Sequence, residues 1–254
     1  MYYNNEFCNL YYEKYGNKKD TLIILPGWGD NRNTFHHIIE YFKNKFTIYI
    51  FDYPGFGKSS TPIKEMTIYD YATMINNFIE KFTIENPIIL SHSFGGRISI
   101  LLSTIYKKNI KKHIFIDIAG IKPKKNLKQL LKQTIYKIKR KISKLIKNNE
   151  KRETYINNLR KKYSSTDYLL LPKNMHQTFK NIVNENLKKY IKYIKQETLI
   201  LWGENDIDTP IKDGIYLNKK IKDSALIILP KAGHFSYIEY KDLTISIIEK
   251  FILE

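Results

Sequence analysis

Short, almost wholly apolar runs alternate with stretches of helical periodicity over most of this chain, and nothing else in it narrows the fold so far. The runs Thr21–Leu25, Phe46–Phe51, Ile88–Leu90, His113–Asp117, Thr198–Leu201 and Ala225–Leu229 are strand-length and lack the polar alternation of a half-exposed strand. Between them, Phe35, Ile38, Ile39 and Phe42 share one face of a helix, as do Ile68, Tyr71, Ala72, Ile75, Phe78, Ile79 and Phe82. Ile98 to Ile105, Ile211 to Ile221 and Asp242 to Ile252 read as further helices, and Phe7 to Tyr15 as the first strands, before a turn at Gly16-Asn17. Such alternation predicts an α/β protein with a mostly parallel, doubly wound sheet whose ligands bind beyond the carboxyl ends of the strands.

From about Ala119 to Gln196 the strands stop and only helix patterns remain. The expected organisation is therefore a core of residues 1–118 and 197–254 interrupted by a helical insertion, 119–196. Within it Leu127, Leu131, Ile135, Ile138, Ile142, Leu145 and Ile146 recur at helical spacing among lysines. Ser164-Ser165-Thr166-Asp167 fits a capping box before Tyr168, and short helices fit Met175 to Val183 and Leu187 to Ile194. The formal net charge of +18 is concentrated here: Lys122 to Lys162 holds 16 Lys or Arg against Glu150 and Glu153 alone. A solvated basic face explains such a run without nucleic acid, which is not expected as a partner. A basic amphipathic helix suits an anionic membrane surface, and equally a cap whose apolar side covers a pocket.

The single cysteine, Cys8, excludes an internal disulfide framework. Neither a leader pattern over Met1 to Asn9 nor a membrane-length apolar window is present, and a soluble cytoplasmic protein is the expectation.

The chemistry is carried by the loops that end the strands. Ser91-His92-Ser93-Phe94-Gly95-Gly96 reads as strand, sharp turn, helix, which would lift the Ser93 hydroxyl clear of the sheet; small residues making an ordinary turn are the plain alternative. Pro26-Gly27-Trp28-Gly29-Asp30 is a loop that permits close backbone approach. Asp52 to Ser59 fits neither a Walker A loop nor a dinucleotide fingerprint. Asp206 and His234 follow two later strands, so that groups suited to nucleophile, acid and base roles end three different strands.

Taken in order, these motifs resemble the α/β-hydrolase superfamily, specifically its serine hydrolases with a helical cap. Pro26 to Gly29 is similar to the oxyanion loop, Asp52 to Ser59 to D-x-P-G-x-G-x-S, and Ser91 to Gly95 to the nucleophile elbow. Trp202 to Pro210 resembles the W-G-x-x-D segment, and Gly233-His234 the terminal G-H. The resemblance implies the α/β-hydrolase fold, Ser93 as nucleophile, His234 as base and Asp206 as the orienting acid. It further implies oxyanion donors at the backbone N–H groups of Trp28 and Phe94, with no cofactor and no metal. Under a cap, Trp28, Phe94, Tyr168 and Phe235 are expected to line an apolar pocket for a small-molecule acyl substrate.

Other assignments stand beside these. Asp117 also ends a strand and is a second position for the acid; Asp208 and Glu204 come after it. His92 is expected to shape the elbow or pocket wall, and Arg97 to hold a carboxylate or a structural partner. His36, His37 and His176 read as packing or surface residues. Two positions depart from the family pattern: Pro26 stands where His often precedes Gly, and Ser91 replaces the first glycine of the elbow. The expected function is cleavage of an ester or related acyl bond through an acyl-enzyme. The alternatives are carbon-carbon bond hydrolysis or lysis on the same triad, or ligand binding without turnover.

Overall fold

The structure, a computed structural model, describes residues 1–30, 32–122, 127–163 and 166–253. Strands β1 (Tyr2–Asn4), β2 (Asn9–Tyr15), β3 (Thr21–Leu25) and β4 (Thr47–Asp52) come first, with α1 (His36–Phe42) between the last two. They are followed by α2 (Ile68–Lys81), β5 (Ile88–His92), α3 (Phe94–Thr104) and β6 (Lys112–Ile116). Helices α4 (Leu127–Ile142), α5 (Asn149–Tyr163), α6 (Thr166–Leu170) and α7 (His176–Asn184) form the interruption. The chain closes with β7 (Glu197–Gly203), α8 (Ile211–Lys220), β8 (Ser224–Leu229), α9 (Ser236–Glu239) and α10 (Lys241–Leu253).

The eight strands form one sheet in the order β1-β2-β4-β3-β5-β6-β7-β8. Only β1–β2 and β2–β4 pair antiparallel; every other neighbour is parallel. The apolar runs are continuous because the sheet is covered on both faces, and successive side chains point to opposite sides. Ile23, Leu25 and Ile89 enter one core with α2, α3 and α8, whereas Leu22, Ile24, Ile88 and Leu90 enter the other with α1 and α10. The α/β expectation is met. Helix α2 starts at a capping box in which the Thr67 hydroxyl accepts from the Asp70 N–H and the Asp70 carboxylate accepts from the Thr67 N–H.

Packing divides the chain into two compact units, residues 1–122 with 181–254, and residues 123–180. The inserted unit is thus shorter than the 119–196 expected. Ile182, Leu187, Ile191 and Ile194 account for the difference, since they are buried in the core beside α2 and α3. The helix expected over Leu187 to Ile194 is instead a turn followed by a 3-10 turn at Ile191–Tyr193. Intervals of four and three residues suit a helix face, but turns docked on a core meet them too. The proposed capping box before Tyr168 includes residues 164 and 165 and lies outside the described residues. In the inserted unit, α4 and α5 meet with the rings of Tyr136 and Tyr163 5.9 Å apart, and Tyr168 stacks on His176 at 4.2 Å. No helix among the described residues is long and apolar enough to cross a membrane.

Candidate active site

Strand β5 lies between β3 and β6, and the residue that follows it takes a conformation few side chains adopt: Ser93 has φ 46° and ψ −113°. A non-glycine residue held there is strained, by about 1–3 kcal/mol, and persists only where the surroundings fix it. The fixing is visible. The Ser93 carbonyl accepts from the N–H groups of Gly96 (3.1 Å) and Ala119 (2.8 Å). At Gly95 a Cβ would stand 2.0 Å from the Leu25 carbonyl oxygen, and at Gly96 2.3 Å from the Ile118 Cβ, so the start of α3 comes this near the sheet only because both lack side chains.

Two later loops bring their side chains to this serine. His234 Nε2 lies 2.9 Å from Ser93 Oγ, and His234 Nδ1 lies 2.8 Å from Asp206 Oδ2. A carboxylate oxygen can only accept here, which assigns the imidazole proton to Nδ1 and leaves Nε2 to accept the serine proton. Asp206 is held in turn: its Oδ1 accepts from the N–H groups of Asp208 (2.8 Å) and Thr209 (2.9 Å), and Oδ2 from the Thr209 hydroxyl (2.6 Å). The side-chain exposure of Asp206 is 0% and that of His234 13%, so the pair is shielded from bulk water.

Burial alone would push the Asp206 carboxyl up, but hydrogen bonds from His234 and Thr209 and the attraction of His234 outweigh it and hold the group below the ordinary carboxylate range. For His234 burial works against the charged form. It is overcome by the hydrogen bond to Asp206 and by the fields of Asp206, Asp117 and Asp208, so its pKa is raised. The serine hydroxyl therefore faces a base whose conjugate acid is stabilised in place, the arrangement by which a weak nucleophile is activated. Asp206, Asp208 and His234 also have the mutual spacing of a metal-ligating group, but the Nδ1 to Oδ2 hydrogen bond already joins two of its donors.

Asp117 is not hydrogen-bonded to His234 here. Its Oδ1 accepts from the Gly203 N–H (2.7 Å) and its Oδ2 from the Ser236 hydroxyl (2.5 Å), and its carbonyl lies 3.0 Å from Thr209 Oγ. It thus ties the end of β6 to the loop bearing Asp206 and to the helix just after His234. Burial pushes its carboxyl up to about 7, against the hydrogen bonds of Ser236 and Gly203. Thr209 and Ser236 were not singled out from sequence; a Thr three residues after the acid, its side chain turned back to cap the same loop, was the available signal for the first.

His92 donates from Nε2 to the carbonyl of His234 (2.8 Å) and so holds the backbone of that histidine. Arg97 is buried, donating to the Glu185 carbonyl (3.0 Å), and burial pushes its guanidinium down to about 10. Its contact is structural, tying α3 to the turn at Glu185. Ser91 is fully buried, and its hydroxyl has no partner among the described residues.

Of the remaining residues singled out, the Trp28 ring meets that of Phe94 edge-on at 5.1 Å, and Phe94 is enclosed by Trp28, Tyr53 and Tyr71. As the first residue of α3, Phe94 has an N–H with no intrahelical acceptor. Phe235 is partly exposed beside His92 and His234. Tyr168 belongs to the inserted unit, on His176. His37 is half-buried, its imidazole pKa lowered chiefly by burial, and His36 is exposed.

Comparison with known proteins identifies the family. The family model described as the alpha/beta hydrolase fold matches residues 20–240. The chain is 26% identical to the pimeloyl-[acyl-carrier protein] methyl ester esterase of Wigglesworthia glossinidia brevipalpis, over 93% of this chain and 95% of that protein. It is 25% identical to 2-hydroxy-6-oxononadienedioate/2-hydroxy-6-oxononatrienedioate hydrolase 1 of Pseudomonas putida, over 92% and 88%. Among solved structures, MGS-M2, an alpha/beta hydrolase from a Medee basin deep-sea metagenome library, superimposes with a TM-score of 0.77 at 20% identity, covering 100% of this chain and 98% of that one. The chain belongs to the alpha/beta hydrolase fold family and is a hydrolase.

Proposed function

We propose that the chain is a serine hydrolase that cleaves a carboxylic ester or related acyl bond through an acyl-enzyme. The observation that carries this reading is the unbroken hydrogen-bonded series from Ser93 Oγ through His234 to Asp206, at 2.9 and 2.8 Å. Ser93 Oγ attacks the acyl carbonyl carbon while His234 Nε2 takes its proton; Asp206 keeps the imidazole oriented and stabilises the imidazolium. The oxyanion is received by the N–H groups of Phe94 and Trp28, the first supported by its place at the start of α3. His234 then gives its proton to the departing alcohol, and water, deprotonated by the same nitrogen, releases the acid. Neither half-reaction needs a cofactor or a metal.

A fluorophosphonate should label the wild-type serine, and Ser93→Ala and His234→Ala should abolish labelling. A wild type that stays unlabelled, or labelling that survives Ser93→Ala, defeats the proposal. A screen of esters and thioesters graded by acyl length, with Ser93→Ala as the control, would define the acyl group. Carbon-carbon bond cleavage is the second reading, favoured by the similarity to the Pseudomonas putida hydrolase named above; turnover of a vinylogous diketone with none of any ester would select it.

A further inference from the structure

The inserted unit carries a surface feature that the proposed chemistry does not use. On α4 the side chains of Leu127, Leu130, Leu131, Ile135, Ile138 and Ile142 fall, at about 100° per residue, on one arc of roughly 140°. All six are exposed, Leu127 by 79%, Leu131 by 61% and Ile138 by 53%, and Leu145 just beyond extends the stripe at 80%. Inside the unit the helix is already satisfied from the other side: Tyr136, half a turn away from the stripe, packs by α5 against Tyr163. The stripe is therefore not the surface that holds this unit together.

Its borders specify what covers it. Lys132 and Lys139 flank one edge and Lys137 the other, with Lys141 just inside that second edge, and α4 contains no acidic residue. Lysines beside an apolar stripe can lay their stems along it while their ammonium groups reach outward, which matches a layer that is apolar inside and negatively charged at its surface. A protein groove could supply the apolar part, but lysines on both borders and a large excess of positive charge through to Lys162 favour a surface negative throughout. We propose that α4 docks this chain on an anionic lipid bilayer, lying in the plane of the interface with its leucines and isoleucines at the boundary of headgroups and acyl chains. The proposal involves no atom of Ser93, His234 or Asp206, and a failure of the catalytic reading would leave it intact.

Sedimentation of the full chain with vesicles tests it. Binding to phosphatidylglycerol mixed with phosphatidylcholine should exceed binding to phosphatidylcholine alone by at least about tenfold at low salt, and weaken as salt rises. Leu131→Ser with Ile138→Ser should lower binding at least about tenfold while melting unchanged, because both side chains are exposed. A polarity-sensitive dye on Ile135→Cys should shift to the blue with the anionic vesicles, and the same dye on Asn157→Cys, on α5, should not. No sedimentation at low salt, retention by the Leu131→Ser/Ile138→Ser variant, or equal shifts at both dye positions overturns the proposal. So does a dimer in sedimentation velocity that this variant abolishes in the absence of vesicle binding, which would assign the stripe to a second copy of the chain.

Discussion

His92 Nε2 reaches the carbonyl oxygen of His234 at 2.8 Å, so the residue immediately before the strained serine anchors the backbone of the histidine that faces it. The two ends of the Ser93–His234 hydrogen bond are thus positioned by adjacent residues of one turn. His92→Leu removes the donor and leaves a carbonyl unpaired. The expected result is a roughly tenfold fall in kcat with little change in KM, and a loss of about 1 kcal/mol in stability. Steady-state kinetics and chemical denaturation check both.

Hydrolysis in the proposed mechanism needs His234 neutral in the free enzyme, and Asp206 raises its pKa. Activity therefore falls as the pH drops through a value above the ordinary histidine range near 6.5. Asp206→Asn takes away the hydrogen-bonded charge that does most to raise it. The acid limb of kcat/KM should move to lower pH while the plateau drops, by about ten-thousandfold if the imidazole also takes the wrong tautomer. An acid limb that stays in place would show that Asp206 does not govern the histidine.

Asp117 gives a second titration, with the opposite sense for stability. Burial raises its folded pKa to about 7, above the value in an unfolded chain near 3.9. Its contribution is fully present below the unfolded value and is lost as the pH rises to the folded one, because only the unfolded chain releases the proton over that interval. Relative to Asp117→Asn, the wild type should lose a few kcal/mol between about pH 4 and 7 and then hold a constant difference. Melting curves of the two proteins across that range decide it.

Thr209 supplies both a backbone N–H and a hydroxyl to Asp206. Thr209→Val keeps the shape and the N–H but deletes the hydroxyl. A fall in kcat of about tenfold is expected, since one hydrogen bond to a charged group is worth about 1.5–3 kcal/mol, part of which the remaining donors recover. An unchanged kcat would show that the other donors hold the carboxylate unaided.

Ser91 replaces the glycine usual at the first position of the elbow, and its buried hydroxyl has no partner among the described residues. Ser91→Ala removes a polar group without changing the backbone. It should raise stability by about 1 kcal/mol, or about 2–4 °C in Tm, with kcat unaffected.

The order of strands and helices, the sharp turn at Ser93 and the meeting of Asp206 with His234 were legible because each rests on local pattern or on a motif at a strand end. The bracing of those groups was not. Asp117 with Gly203 and Ser236, or His92 with the His234 carbonyl, are hydrogen bonds between segments distant in sequence, and no periodicity announces them. Helix α5 illustrates a different obstacle: its sequence has few apolar residues, with Leu159 its one buried side chain, so hydrophobic spacing offers little to read. Over Leu187 to Ile194 the spacing was real and its cause was different, a turn docked on the core rather than a helix.

Ser93 and His234 stand 141 residues apart, with the whole inserted unit between them in the chain. A ribosome therefore makes the hydroxyl long before it makes the base that would activate it. On the proposed mechanism the serine stays unactivated until the segment after β8 has been made and has placed the imidazole beside it.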